Sequence, residues 1–225
     1  NGDILKAFRQ IPSLTKTYRG LIAISLASRI PFIFMVTLEV AQPVHFQTNI
    51  GTSLQQHASI LLLCGVFSVL GGIFSPMVMR KLGAPLCLHV FIYVFLGLAI
   101  ALFLFDSLFG FSLIVPMLAL TGTLIRVSGN QILLDQSGDG VIGRIGASLQ
   151  ILTYLIRFAT MLILSAILLT FSVKYVLLAL VFVTLLGPIL LYVSKVCNRT
   201  EGREEIVEAT FFDRTRAVSY LCVGR

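Results

Sequence analysis

Six long runs of apolar residues, separated by short polar connections, dominate the chain. Each run approaches the roughly 20 residues that an α-helix needs to cross the hydrocarbon core of a bilayer. The runs lie at about 20–43, 58–79, 86–105, 109–131, 145–171 and 175–194. Hydrocarbon offers unpaired backbone groups no water to bond, and the alternating ten-residue pattern of a membrane barrel is missing from the sequence. The pattern therefore predicts an all-α, polytopic membrane protein with six transmembrane helices.

Composition agrees with this interpretation. The 225 residues are 57% hydrophobic and only 12% charged, against roughly 25% charged residues in an ordinary soluble domain. A water-soluble globule is excluded. The net charge of +7 would suggest a nucleic-acid partner in a soluble chain, but here the basic residues cluster between and beyond the apolar runs. We therefore expect the lipid bilayer as a partner, and no nucleic acid.

The basic residues also predict the topology, because cytoplasmic segments next to transmembrane helices retain an excess of Lys and Arg. Thirteen of the seventeen lie in alternate connections and the two ends, at Lys6, Arg9, Lys16, Arg19, Arg80, Lys81, Arg144, Lys195, Arg199, Arg203, Arg214, Arg216 and Arg225. The opposite connections carry Lys174 alone. Both termini are thus predicted to face the cytoplasm, in a plasma or inner membrane. The expected organisation is a leader or inter-half linker at 1–19, a helical bundle at 20–195 and a cytoplasmic tail at 196–225.

Two of the predicted cytoplasmic connections resemble a known family. Gly71-Gly72-Ile73-Phe74-Ser75-Pro76-Met77-Val78-Met79-Arg80-Lys81-Leu82-Gly83 is similar to the loop of the major facilitator superfamily, where a glycine-rich helix end precedes Asp-Arg-x-Gly-Arg-Arg. Aligned on Gly83, the Asp of the motif falls on Arg80, so its charge-relay role does not carry over. Gly143-Arg144-Ile145-Gly146-Ala147-Ser148-Leu149-Gln150 resembles the segment that opens the fifth helix of a half in that family.

The resemblance implies one six-helix half of a transporter with two halves around a central cavity, and it covers about residues 18–196. It favours the C-terminal half, with another six-helix half as partner, so the chain is expected to be part of a longer product. The implied function is secondary transport of a small solute by alternating access. A non-transporting six-helix subunit that binds a partner or lipid, or assembles as an oligomer, is the alternative.

Arg157 is the sharpest candidate for a binding residue, since it lies about 12 residues into its predicted helix, too deep to reach either surface easily. Gln150, Thr153, Tyr154 and Thr160 share its helix face and form one polar stripe. A guanidinium in this position costs at least about 2.5 kcal/mol unless it meets water or a partner. It is expected either to face a cavity for an anionic ligand, with Gln150 and Tyr154 as hydrogen-bonding groups, or to form a structural pair with a carboxylate or free carbonyls.

Arg29 is a second candidate, about nine residues into the first predicted helix. One branch of the superfamily, which carries phosphate-bearing organic anions, has an arginine in a similar place, and this similarity implies an anionic solute. Arg126 and Asn130 share a face of the fourth predicted helix and are further candidates for the substrate site. Because Arg126 lies only about five residues from the predicted inner end, its side chain could instead extend to the headgroups.

Glu39, near the outer end of the first predicted helix, is the one acidic residue that could take part in gating or proton coupling, and no acidic residue is central in a predicted helix. It could also pair with Arg29 or be an ordinary interfacial carboxylate. Exchange of one anion for another, as in an antiporter, would need no central carboxylate. The sequence contains no catalytic motif, and its cysteines and histidines lack metal-ligand spacing. No enzyme activity, metal or cofactor is therefore expected.

A stripe of small residues on the second predicted helix, Gly65, Ser68, Gly72 and Ser75, has the spacing of a close helix contact. We expect this stripe to be a packing seam rather than a binding site.

Overall fold

A computed structural model of the chain describes residues 19–46, 54–105, 107–136, 142–170 and 174–196. It contains six helices: α1 (Arg19–His45), α2 (Leu54–Leu82), α3 (Ala84–Leu104), α4 (Leu108–Gln136), α5 (Ile142–Thr170) and α6 (Lys174–Val196). Each is long and apolar enough to cross a membrane, and the described residues include no strand. The predicted all-α fold is confirmed for the residues described, and the six helices have the length and composition of a multi-pass integral membrane protein.

The helices are mostly longer than the apolar runs. α2 begins four residues before its predicted start at 58, and α4 continues five residues beyond its predicted end at 131. Hydropathy detects only the part of a helix that matches hydrocarbon, whereas backbone hydrogen bonding continues into the polar interface. Apart from Arg19 and Val196, the expected leader and tail lie outside the described residues, and the side of the membrane on which the termini lie stays a prediction.

The turn between α2 and α3 is a single residue, Gly83. Its φ of +79° lies in the left-handed region that glycine adopts without strain, and its amide donates to the Met79 carbonyl at 2.8 Å. Pro85 follows in the first turn of α3, where a missing amide hydrogen costs nothing. Gly83 thus ends one helix and starts the next, as the tight basic turn in the sequence predicts.

α1 and α4 form the centre of the bundle and are its most buried helices. They cross closely at glycines of α4, which have no side chain to hold the two helices apart. A Cβ atom at Gly129 would overlap the Ser28 side chain, and one at Gly122 would lie 3.3 Å from Cβ of Pro31. Since the contacts run from Ser28 to Pro31 on α1 and from Gly129 to Gly122 on α4, the two helices are antiparallel.

The remaining helices pack around this pair in a repeating pattern. α2 and α3 pack on α4, whereas α5 packs on α1. α6 lies against α1 and α3, because a Cβ atom at Gly187 would lie 3.8 Å from Ile30 and 3.3 Å from Ile92. When α1, α2 and α3 are matched with α4, α5 and α6 in that order, the contact of α2 with α4 corresponds to the contact of α5 with α1. The contact of α3 with α4 likewise corresponds to the contact of α6 with α1.

The packing of α2 uses only part of the predicted seam, since Ser75 is buried but Gly65 and Gly72 are not closely packed. A Cβ atom at Gly71 would lie 2.8 Å from the carbonyl oxygen of Leu120 on α4, but one at Gly65 or Gly72 would meet no atom within 4 Å. The seam prediction is therefore wrong for these two glycines. A face of small residues permits close packing but does not determine which face a neighbouring helix covers.

Candidate functional site

A polar cavity of about 200 Å³ lies between α1, α4 and α5. We call it the polar cavity, and its walls consist of Arg29, Phe32, Arg126, Gln150, Thr153 and Tyr154. Four of these residues, Arg29, Arg126, Gln150 and Tyr154, are candidates from the sequence. The fold brings them together from three helices that are well separated along the chain.

The antiparallel crossing of α1 and α4 places both arginines of this cavity at nearly the same depth. Arg29 lies three residues before the middle of α1 at Phe32, or roughly 4.5 Å along the axis. Arg126 lies four residues after the middle of α4 at Gly122, or roughly 6 Å. Because the helices run in opposite directions, these displacements point to the same end of the bundle. Both residues therefore lie within about two turns of the middle of their helices, toward the same end of the bundle, with Arg29 half-buried and Arg126 exposed.

Neither arginine has an acidic partner in the part of the chain that the structure describes. Among the described residues no carboxylate forms an ion pair with Arg29 or Arg126, and Nε of Arg29 is buried without a hydrogen-bond partner. The two side chains are close enough for their positive charges to interact. Two like charges near the centre of an apolar bundle are costly unless water or a counter-charge reaches them. The polar cavity is therefore a site of positive potential that favours an anion.

α5 contributes hydrogen-bonding groups to the same cavity. Nε2 of Gln150 donates to Oη of Tyr154 at 3.0 Å, one helical turn away. The phenol oxygen thus accepts one bond and keeps its own hydrogen to donate. Oγ1 of Thr153 donates to the Leu149 carbonyl at 2.7 Å, so this hydroxyl already has an acceptor within its helix. Tyr154 is the group best placed to complement an anion beside the two arginines.

Arg157 lies outside the walls of the polar cavity. It is half-buried near the middle of α5, and its guanidinium carbon lies 5.6 Å from the centroid of the Phe32 ring, a cation–π distance. No carboxylate among the described residues pairs with it. The expected pair with a carboxylate is therefore absent among the described residues. The expected place in a cavity wall is occupied by Phe32, whose ring the Arg157 guanidinium contacts.

A second, larger cavity of about 470 Å³ lies between α1, α2 and α4, and we call it the apolar cavity. It is lined by Pro31, Phe32, Met35, Val36, Glu39, Leu61, Cys64, Gly65, Ser68, Ala119, Gly122, Thr123 and Arg126. Phe32 and Arg126 belong to both cavities. Gly65 and Ser68, expected in a packing seam, form part of this wall instead.

Glu39 is exposed in the wall of the apolar cavity, two helical turns beyond Phe32 on α1. It lies ten residues from Arg29, roughly 15 Å along the helix, and the described residues contain no ion pair between them. Asn130 is exposed on α4 and belongs to the walls of neither cavity. The structure thus separates Glu39 from Arg29, whereas Asn130 lies one helical turn from Arg126 but outside both cavities.

Arg126 lies farther from the end of its helix than the sequence indicates, because α4 extends to Gln136 and leaves ten residues after this arginine. Its side chain is exposed and lines both cavities, and both expectations for it, substrate binding and extension to the headgroups, stay predictions. The aromatic wall at Phe32 was missed by sequence reasoning. Its spacing of three residues from Arg29 is a signal that could have identified it.

No family model, no curated protein and no solved structure matches the chain. The resemblance to the major facilitator superfamily therefore stays a prediction. Support for a function comes from the geometry of the two cavities and from the pairing of the helices.

Proposed function

We propose that the chain is one six-helix half of a secondary transporter of the major facilitator type, which moves a small anionic solute by alternating access. One observation carries the proposal: Arg29 and Arg126 line one cavity from antiparallel central helices without a carboxylate partner among the described residues. An intramembrane charge is expensive and generally indicates a functional site. Here its complement is an anion that enters the cavity.

The helix pairing supports a carrier. Transporters of this type contain three-helix units of inverted topology within each six-helix half, with the substrate site near the midplane. The exchange symmetry of the contacts, with α1 and α4 at the centre, is the pattern such a repeat would leave. A second six-helix half opposite the two cavities would complete the pathway. Rocking of the two halves would then open the site to each side of the membrane in turn.

Each residue has a distinct role in this mechanism. Arg29 and Arg126 attract the anion and replace its hydration shell with charge-assisted hydrogen bonds. Tyr154 donates its phenolic hydrogen, and Gln150 holds the phenol in position. Glu39 lies away from the arginines and acts at the gate of the apolar cavity. Because no carboxylate lies beside the arginine pair among the described residues, exchange of one anion for another is the simplest coupling.

Counterflow into vesicles that contain the complete protein tests this function. The labelled anions are inorganic phosphate, methanesulfonate and benzenesulfonate, each assayed against an internal excess of the same anion. Arg29→Gln and Arg126→Gln should each reduce exchange of a carried anion at least about tenfold, the expected loss of one charge-assisted contact. Arg19→Gln is the matched control, because Arg19 is exposed at the start of the same helix as Arg29.

The outcome separates the carrier from the alternative. Exchange of any of the three anions that survives both substitutions would contradict the assigned roles. Binding of an anion without exchange, in vesicles that contain the complete protein, would instead favour the non-transporting membrane subunit. That subunit would use the broad apolar surface of α5, the least buried helix of the bundle, to contact lipid or a partner.

A further inference from the structure

The polar and apolar cavities meet at two residues. Arg126 and Phe32 line both, so the two cavities are neighbours on either side of these two side chains. The cavities lie on opposite flanks of the central α1–α4 pair, one toward α5 and the other toward α2. Their chemistry differs sharply, which restricts the kind of molecule that fills both.

The polar cavity fits a compact charged group. Its volume of about 200 Å³ is bounded by two guanidiniums, an amide and a phenol, with Phe32 as its one apolar side chain. Arginine binds the oxygens of carboxylate, phosphate or sulfonate through a planar array of donors. Such a group would satisfy the buried Nε of Arg29, which has no hydrogen-bond partner.

The apolar cavity fits a hydrocarbon body. Phe32, Met35, Val36 and Leu61 supply most of its apolar wall, and its volume of about 470 Å³ is well above the roughly 150 Å³ of a cavity that accommodates benzene. Glu39 lies in the wall away from Arg126 and repels an anionic group from that part of the cavity. The opposite charges of Arg126 and Glu39 therefore orient a bound anion, with its acidic group at Arg126 and its hydrocarbon toward α2.

We propose that the solute is an amphiphilic organic anion, whose acidic group lies between Arg29 and Arg126 and whose apolar body packs against Phe32, Met35 and Leu61. This inference rests on the proposed function, because it names the substrate class of the same site. A small inorganic anion satisfies the arginines but leaves the apolar cavity to water. A neutral hydrocarbon fills that cavity but leaves two intramembrane cations without a counter-charge.

The inference is tested by binding to the complete protein in lipid nanodiscs, measured by titration calorimetry. Benzenesulfonate carries both parts of the proposed ligand, methanesulfonate carries the acidic group alone, and benzyl alcohol carries the ring alone. The sulfonates stay ionised at all accessible pH values. Since each buried methylene contributes about a fourfold gain in affinity, benzenesulfonate should bind at least about tenfold more tightly than either fragment.

Two substitutions test the two parts of the site separately. Leu61→Asn should weaken benzenesulfonate about threefold to tenfold and leave methanesulfonate within about twofold, because only the body loses contacts. Met35→Gln is a second variant with the same expectation. Leu62→Asn is the matched control, since Leu62 is 71% exposed and lines neither cavity. Arg126→Gln should weaken both sulfonates.

The location of the bound ring is read from Cys64, which lines the apolar cavity. Benzenesulfonate should slow the alkylation of Cys64 by N-ethylmaleimide, measured by peptide mass spectrometry, whereas methanesulfonate should not. Equal affinity for benzenesulfonate and methanesulfonate, equal affinity for benzenesulfonate and benzyl alcohol, or no binding of benzenesulfonate would each overturn the inference.

Transport assays distinguish a failure of this inference from a failure of the proposed function on which it rests. Exchange of methanesulfonate or phosphate as fast as benzenesulfonate would preserve the carrier and overturn the substrate class. Tight binding of benzenesulfonate with no exchange would preserve the amphiphilic site and overturn the carrier.

Discussion

The guanidinium of Arg157 lies over the ring of Phe32, with its central carbon 5.6 Å from the ring centroid. The same Phe32 ring also lines both cavities. A cation near the middle of α5 is thus held by an aromatic ring of α1 rather than by a carboxylate among the described residues. Arg157 therefore contacts a side chain of the cavity walls, Phe32, without lining either cavity itself.

A double-mutant cycle measures this contact. Phe32→Leu and Arg157→Gln should show a coupling of about 0.5–2 kcal/mol in unfolding followed by circular dichroism, the range of a partly desolvated cation–π pair. Phe158→Leu is the control, since adjacent helical residues do not face each other and Phe158 is 64% exposed. A coupling for Phe32 no larger than that for Phe158 would show that the ring does not hold the guanidinium.

Arg126 should show opposite effects on stability and on binding. Its charge interacts with that of Arg29 across the polar cavity, without a carboxylate partner among the described residues. Arg126→Gln removes this repulsion, so the thermal midpoint of the ligand-free protein should rise by a few degrees. Binding of benzenesulfonate should fall at least about tenfold.

The same substitution should also reduce ligand stabilisation, because a ligand raises the midpoint only as far as it binds the folded state. The measurement is the melting midpoint in nanodiscs with and without 10 mM benzenesulfonate. Arg19→Gln should leave both quantities unchanged. A lower midpoint for ligand-free Arg126→Gln would mean that this arginine stabilises the bundle through a contact that the cavity geometry does not reveal.

Gly129 should be the least tolerant glycine of the central crossing. An added Cβ atom would overlap the Ser28 side chain of α1, and overpacking of this kind costs about 1–3 kcal/mol. Gly97 in α3 is the matched control, because an added methyl group there meets no atom within 4 Å. Gly129→Ala should lower the thermal midpoint, and Gly97→Ala should leave it unchanged or raise it slightly through better helix propensity. Equal midpoints for the two variants would contradict the close crossing.

The helices could be predicted from the sequence because a bilayer imposes one length and one pattern on every crossing segment. The pairing of the helices could not, since apolar faces of similar composition fit many neighbours. Gly71 and Gly65 show the difference: both are small residues on α2, but only Gly71 contacts α4. Which glycine packs depends on three-dimensional contacts that no single helix pattern contains.

The candidate site, too, could be predicted from the sequence only in part. Arg29 could be found because an arginine within an apolar run is rare, since a charged side chain inside the bilayer is energetically unfavourable. Its proximity to Arg126 could not, because it depends on the antiparallel crossing of α1 and α4 and on the true end of α4. Phe32 is an ordinary residue of an apolar helix until the structure places it between two cavities.

The membrane orientation is testable at two turns of the structure. Leu82, beside the basic turn between α2 and α3, is predicted to face the cytoplasm, whereas Phe105, after α3, is predicted to face the opposite side. Both side chains are exposed, at 42% and 63%. With the native cysteines replaced by serine, Leu82→Cys and Phe105→Cys provide a matched pair of reporters.

A membrane-impermeant maleimide added to intact cells should label Phe105→Cys and spare Leu82→Cys, because α3 separates the two positions by one crossing of the membrane. Permeabilised cells should show labelling of both, which controls for thiol reactivity. The reverse pattern in intact cells would mean that the excess of Lys and Arg lies on the outer side. The end of the bundle nearer to Arg29 and Arg126 would then face outward rather than toward the cytoplasm.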